Sequence, residues 1–372
     1  MALSNLERPS MKRFAPLVVA AAALVSLLSG CAPDASASPD DSPKPTASSD
    51  AETPILASTP TSRVPLRCDQ LASSSAVASA VGQPIGVVSP ISVDLVPTLV
   101  PYASVQHGDL ECAWSPNPLT YNVTPPIVSI LVVPEVTAAQ WSDVVGRLGD
   151  TTVGGFAGDS HSSCTSDGDI SECRLDTLVN GYWLGVSATA FDGGATAEST
   201  AELFRAAATA VESAGTATSA WILPSDAGVS GTIDTSLASA ALGATVEQID
   251  CDPTTEAQKH WVATAATGYT ACTYSANGID GGADAFVTVY FLPGGAWALQ
   301  GATTALGAQA TPAIGLGDGA LSVADGPGAS TTMFARGSDL VAVHSNGSGE
   351  IELTPQILTS IPVAVAGALP AA

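Results

Sequence analysis

Ser160 and His161, in the run Gly158-Asp159-Ser160-His161, are the residue types of nucleophilic acyl transfer: a hydroxyl beside a glycine turn and an imidazole that could take its proton. That chemistry also needs a distant acid that orients the histidine. The four histidines, His107, His161, His260 and His344, have no spacing that names such a triad. A second group of oxygens, Asp167, Asp169, Ser171 and Glu172, and a third, Asn277, Asp280 and Asp284, alternate along the chain as ligands of a hard cation such as calcium do. Neither group has the glycine placement or the closing glutamate of an EF-hand loop, and solvated turns are the simpler account. There is no phosphate loop ending in Gly-Lys-Ser/Thr and no dinucleotide fingerprint after a strand, so the sequence points to no catalytic set and no cofactor.

Cys31 is different. Met11-Lys12-Arg13 is a short cationic start, and the apolar run Phe14 to Leu28 follows it, the layout of a secretory signal peptide. Fifteen residues fall short of the roughly 20 a helix needs to cross a bilayer. Leu28-Ser29-Gly30-Cys31 resembles the bacterial lipobox, which implies a diacylglyceryl group on the Cys31 sulfur and cleavage of residues 1–30. Met11 is a better start than Met1, since Glu7 and Arg8 precede it. Each buried methylene of an acyl chain contributes about 0.8 kcal/mol, so two or three chains on one cysteine anchor a protein firmly. The partner implied is membrane lipid, and the location is the outer side of the cell membrane.

Residues 31–64 are Pro, Ser, Thr, Ala and Asp with almost no large apolar side chain, the composition of a disordered tether. About thirty residues at roughly 3 Å each reach up to ~100 Å. The whole chain carries a net charge of −24, and loss of Arg8, Lys12, Arg13 and Glu7 with the leader makes it −26. Such a surface repels phosphate backbones and anionic headgroups, which argues against nucleic acid and against peripheral membrane docking. Apart from Cys31, six cysteines remain: Cys68, Cys112, Cys164, Cys173, Cys251 and Cys272. Outside the cell these read as disulfides, with fifteen possible pairings. Zinc is the competing reading, but no Cys-x-x-Cys pair and no histidine at ligand spacing supports it.

The exported part contains one unit twice, 65–215 and 229–372, joined by a linker at 216–228. Ile127–Pro134 corresponds to Phe286–Pro293, each followed by a helical stretch with a tryptophan, Trp141 and Trp297, ending at Gly149 and Gly307. Cys112-Ala113-Trp114 matches Cys272-Thr273-Tyr274, Gly155–Asp159 matches Gly315–Asp318 with one deletion, and Gly181–Leu184 matches Gly337–Leu340. Each unit reads as a small-residue helix (Asp69 to Gly82, Thr235 to Gly243), two strands, the tryptophan helix, a Gly-Asp turn, a hairpin, a strand and a closing helix. The fold class is α+β: two tandem repeats, each a mostly antiparallel sheet with helices on it, behind the tether. The repeat narrows the cysteines to sequential pairing, Cys68 with Cys112, Cys164 with Cys173 across a hairpin, and Cys251 with Cys272. It also weakens Ser160, because the second unit has Gly317-Asp318-Gly319 there and no serine.

Cys68-Asp69-Gln70-Leu71 opening a helix, a glycine ending it, a Cys-x-Trp strand, Gly-x-Gly-Asp and a final helix resemble uncharacterised actinobacterial secreted lipoproteins, which are similar in turn to the extracellular sensor domains of some mycobacterial serine/threonine kinases. The resemblance implies a fold and a location, and transfers no catalytic residues. Trp141 and Trp297 read as core. Trp221 between the units and Trp261 beside Lys259 and His260 have no counterparts, so they are the candidates for contact with an unknown envelope ligand or protein, although an aromatic filling the seam is the blander account. The function these features predict is non-catalytic binding in the cell envelope. The alternatives are a substrate-binding lipoprotein of an importer, which calls for two parallel-sheet lobes, and an envelope serine hydrolase at Ser160 and His161.

Overall fold

The computed structural model describes residues 58–372 except 92, 120–124, 149–150, 153–154, 157, 229, 252–259, 278–282, 327, 348–352 and 371–372. The signal peptide, Cys31 and the tether through residue 57 lie outside the described residues, as do Gly149, Lys259 and Asp280. No helix among the described residues is long and apolar enough to cross a membrane.

The first unit runs α1 (Cys68–Leu71), α2 (Ser74–Val81), β1 (Gly86–Val88), α3 (Val100–His107), β2 (Leu110–Ser115), β3 (Ile127–Val133), α4 (Ala138–Leu148), β4 (Thr151–Thr152), β5 (Asp159–Asp167), β6 (Ile170–Val179), β7 (Tyr182–Phe191) and α5 (Ala197–Glu212). The second runs α6 (Thr235–Leu242), β8 (Thr245–Asp250), α7 (Trp261–Thr267), β9 (Thr270–Asn277), β10 (Ala283–Leu292), α8 (Leu299–Leu306), β11 (Ala310–Pro312), β12 (Leu321–Gly326), β13 (Ala329–Arg336), β14 (Asp339–Gly347) and α9 (Pro355–Ala368). Every strand pairing is antiparallel. The sheets are β1-β2-β3-β7-β6-β5-β4 and β8-β9-β10-β14-β13-β12-β11, the same order twice. The chain is α+β and duplicated.

Local chemistry explains where the helices start. The single helix predicted from Asp69 to Gly82 is broken at Ala72-Ser73, because Ser73 is extended and its hydroxyl accepts the Ala76 N–H at 3.1 Å, which starts α2 afresh. Asp234 caps α6 in the same way, and Thr196 and Thr354 cap the closing helices α5 and α9. The pairing Cys68–Cys112, Cys164–Cys173 and Cys251–Cys272 is sequential. Cys164 and Cys173 face each other across β5 and β6, whereas the second hairpin has Ala324 opposite Ser330 at that register and no staple.

Three features depart from the sequence reading. Arg63 and Val64, assigned to the tether, are buried: Arg63 exchanges backbone hydrogen bonds with Gly108 and Thr218, and its guanidinium meets Glu135 at 2.6 Å. The folded body therefore begins before residue 65, alongside the linker. The match of Gly181–Leu184 to Gly337–Leu340 is one residue out of step. Val133 pairs with Trp183 as Leu292 pairs with Leu340, which makes Trp183, not Leu184, the counterpart of Leu340. A slip of one residue exchanges sheet faces, and the burial agrees with the corrected register: Leu184 and Val341 lie under the closing helices, Trp183 and Leu340 on the opposite faces.

The third departure is the pair α3 and α7: the sequence predicts two strands after the first helix of each unit, where the structure has three strands and a helix. Each sheet packs one face against helices of its own unit, α2 and α5 or α6 and α9. The other face is closed partly by a helix of the other unit. Val100, Tyr102 and Ala103 of α3, with Val96 and Leu99 before it, pack with Leu292, Met333 and Leu340 of the second sheet. Trp261 and Val262 of α7 pack with Leu131, Val133 and Trp183 of the first and with Trp141 of α4. The two helices also pack on each other. Hydrogen bonds cross the seam from Gln106 Nε2 to the Pro293 carbonyl (2.8 Å), from Trp297 Nε1 to Gln106 Oε1 (3.3 Å) and from Tyr269 OH to the Thr98 carbonyl (2.9 Å).

Candidate functional site

Ser160 and His161 are consecutive residues of β5, so their side chains leave the sheet on opposite faces. Ser160 Oγ donates to Thr177 Oγ1 at 2.8 Å on the face that α5 covers. His161 stands edge-on to Trp141 with ring centroids 5.9 Å apart, and its Nε2 is 3.5 Å from Asp159 Oδ1. Asp159 in turn accepts from Trp141 Nε1 at 2.7 Å. The imidazole is therefore aimed away from the hydroxyl, and the predicted hydrolase pair is not assembled. Beside it, fully buried Asp176 accepts from Trp183 Nε1 (2.8 Å) and from Arg174 Nε (2.6 Å), so each carboxylate oxygen has a donor.

Two further histidines meet carboxylates and hydroxyls. His107 Nδ1 lies 2.6 Å from Asp109 Oδ1, and Ser104 Oγ donates to Asp109 Oδ2 at 2.5 Å. The acid sits in the middle here, so the hydroxyl has no base. In the second sheet, Thr331 Oγ1 donates to Asp325 Oδ2 at 2.6 Å and lies 3.0 Å from His344 Nδ1, the nitrogen that is also 3.3 Å from Asp325. A relay requires nucleophile and acid on opposite ring nitrogens; these share one. Burial pushes the Asp325 carboxyl up, but the His344 and Thr331 hydrogen bonds outweigh it and hold the group below its ordinary value. Among the described residues no group of three His, Cys, Asp or Glu side chains could hold a metal ion.

The tryptophans are placed in different surroundings. Trp261 is 8 % exposed and belongs to the seam core over the first sheet, not to an open cleft. Trp221 is half-buried; its Nε1 donates to the Ser58 carbonyl at 3.1 Å, and its ring covers Gly294 so closely that a Cβ there would lie 3.1 Å from Cη2. It thus ties the start of the described chain to the turn after β10. The same turn is locked by buried Asp339, whose carboxylate accepts the Gly294 N–H at 2.8 Å and the Gly228 N–H at 2.8 and 3.0 Å. A side chain at Gly228 would begin 2.6 Å from Asp339 Oδ2 and 2.7 Å from Phe291 Cζ, so only glycine lets the linker come this near. Desolvation raises the Asp339 carboxyl above its ordinary value, against the pull of the two amides.

Open surface with apolar lining gathers on α9. One groove of about 600 Å³ runs beside Leu237, Gln356, Ser360, Val363 and Gly367, with Leu237 53 % and Val363 43 % exposed. Another of about 270 Å³ lies between α9 and the outer strands β11, β12 and β13. The Thr196 and Thr354 caps align α5 with α9, and in that alignment the outward positions Glu198, Glu202 and Arg205 become Gln356, Ser360 and Val363. No charged residue stands on α9. Neither Trp221 nor Trp261 lines these grooves. The sequence holds the signal for this surface only through side-by-side comparison of the two closing helices, since each alone is an ordinary apolar or amphipathic segment. The chain matches no protein-family model, no curated protein and no solved structure.

Proposed function

We propose that this chain is an extracytoplasmic lipoprotein, anchored through acylated Cys31, that binds an uncharged envelope ligand or partner on its second unit and catalyses no reaction. The observation that carries the reading is the divergence of the two closing helices: one copy keeps a charged outer face, and the other presents a charge-free, partly apolar surface with two grooves. An exposed apolar surface on an otherwise strongly acidic chain has a cost in solubility that binding explains. Support for the non-catalytic reading comes from Ser160 and His161, which leave opposite faces of β5, and from His344, where Thr331 and Asp325 meet the same ring nitrogen. The importer alternative loses support because both sheets are antiparallel, whereas such lobes are built on parallel strands.

Two measurements test it. Cells expressing the full chain with an alkyne-bearing palmitate analogue should label the protein, and Cys31→Ala should abolish labelling and release the protein from the membrane fraction. Organic extraction of the purified lipidated chain should then yield a neutral compound in near-stoichiometric amount. Turnover of a defined envelope substrate by the purified chain, abolished by Ser160→Ala or His161→Gln, would overturn the non-catalytic reading.

A further inference from the structure

The register makes the two units a paired experiment. Thr151 faces Ser162 as Thr311 faces Ser322, and Cys164 faces Cys173 as Ala324 faces Ser330. With the threonine caps aligned, Phe156, Cys173, Leu175 and Phe204 of the first unit correspond to Leu316, Ser330, Thr332 and Pro362 of the second. In the first unit these side chains fill the space under the closing helix. Phe156 and Phe204 meet edge to face with centroids 6.4 Å apart, and Cys173 and Leu175 are fully buried beneath. In the second unit Leu316, Ser330, Thr332 and Pro362 all line the 270 Å³ groove. Two rings and a leucine have been exchanged for smaller groups, and hydroxyls have been placed where the first copy has core.

We propose that this groove binds a free small molecule carrying an uncharged, phenol-sized ring with a hydroxyl group. The ring follows from what the first unit keeps in that volume. The hydroxyl follows from the floor: Ser330 and Thr332 are buried, and Thr332 Oγ1 already donates to Ser322 Oγ at 3.2 Å, leaving hydroxyl oxygens that can accept from a ligand at the bottom of the groove. Neutrality follows from the lining, which contains no charged side chain. Ile314, 81 % exposed at the groove's edge, supplies an apolar lip that loses its contact with water when a ring lies against it. The proposal deepens the binding function inferred above and rests on it for its biological meaning, but the groove can be tested alone.

The probe is p-cresol, titrated into the full-length chain and followed by ligand-observed NMR and calorimetry. A ligand of this size reaches a Kd of about 1 mM at ordinary ligand efficiency. Leu316→Phe and Thr332→Leu, which reinstate the first unit's residues, should each weaken binding at least tenfold while circular dichroism and the melting temperature stay near wild type. Toluene, lacking the hydroxyl, should bind several-fold more weakly than p-cresol. A blocked Gly-Tyr-Gly peptide is the arm that separates sources: binding tighter than p-cresol reassigns the phenol to a protein partner and overturns the small-molecule assignment, and weaker binding supports it. Absence of saturable p-cresol binding, or binding unchanged in both filled variants, overturns the proposal. Either failure leaves the ligand-extraction test of the binding function standing, because that test reads the whole chain.

Discussion

Trp261→Ala is the sharpest test of the exchanged helices. The side chain belongs to the second unit by sequence and to the core over the first sheet by contact, and it is 8 % exposed. A tryptophan buries about 200 Å² on folding, which at about 25 cal/mol/Å² amounts to ~5 kcal/mol. A compact unfolded state lowers this by up to roughly 40 %, so ~3–5 kcal/mol is expected, in line with other large-to-alanine core substitutions. At about 2.1 cal/mol/K per residue the described residues have an unfolding entropy of ~0.6 kcal/mol/K, and a loss of ~4 kcal/mol lowers Tm by about 7 °C. Urea unfolding read by far-UV circular dichroism and by tryptophan fluorescence measures the free-energy loss, and a thermal scan measures the Tm. If each unit helps close the other's sheet, the two probes report one transition, and Trp261→Ala moves all of it to lower urea. Two separated wild-type transitions, or a loss under about 1 kcal/mol, would refute the claim that the seam is structural core.

The disulfides should differ by loop length. From separations of 44, 21 and 9 residues, chain entropy predicts losses of about 4.0, 3.3 and 2.6 kcal/mol for paired serine replacements of Cys68–Cys112, Cys251–Cys272 and Cys164–Cys173, an order that denaturant midpoints will check. Asp339 gives a pH test. Its carboxyl is raised in the folded state, chiefly by burial, so its contribution to stability is complete below the unfolded value of about 4 and is lost as pH rises through the raised value. Asp339→Asn should therefore flatten the fall in urea midpoint on going from pH 4 towards neutrality, and an unchanged profile would contradict the assignment. Asp176→Ala should cost about 1–3 kcal/mol by removing the acceptor of a buried indole N–H, whereas Asp176→Asn, which can keep that bond to Trp183, should cost less in the same unfolding assay.

The duplication and the α+β class were legible because strand and turn chemistry are local: Ile127–Val133 and Phe286–Leu292 carry β-branched and aromatic runs, and Gly155 and Gly315 both adopt positive φ after the tryptophan helices. What failed was information that tertiary contacts supply. Val100–His107 has no strong helical period, since Val100, Tyr102, Ala103 and Ser104 are buried on nearly all sides by two different neighbours, and such a helix leaves no amphipathic trace. The one-residue misalignment at Gly181 arose because both segments place glycine at a hairpin, Asn180-Gly181 against Gly337-Ser338, in different positions of the turn. Trp261 stands out in the sequence because it has no counterpart in the first unit, but a sequence cannot tell an aromatic that closes a seam from one that lines an opening. The groove was hidden for a related reason: Leu316, Thr332 and Pro362 are unremarkable until the first unit shows what once filled that space.

The asymmetry between the units then has a consistent physical account. The first unit holds two disulfides and an aromatic pair under its closing helix, while the second holds one disulfide, a charge-free closing helix and a groove in place of core. On its own such a second unit would be the weaker of the two, since replacing buried leucine and phenylalanine by smaller or hydroxyl-bearing groups sacrifices burial. The exchanged helices offset that loss. Because α3 completes the apolar layer of the second sheet and α7 that of the first, opening either unit exposes core in both, and the stronger copy sets the free energy of opening for the pair. Coupling of this kind lets one copy carry an open site that an isolated unit would sustain less well, and it makes a clear demand: substitutions that weaken the seam, Trp261→Ala foremost, should increase hydrogen exchange in β12 and β13 beside the groove, far along the chain from the mutated residue.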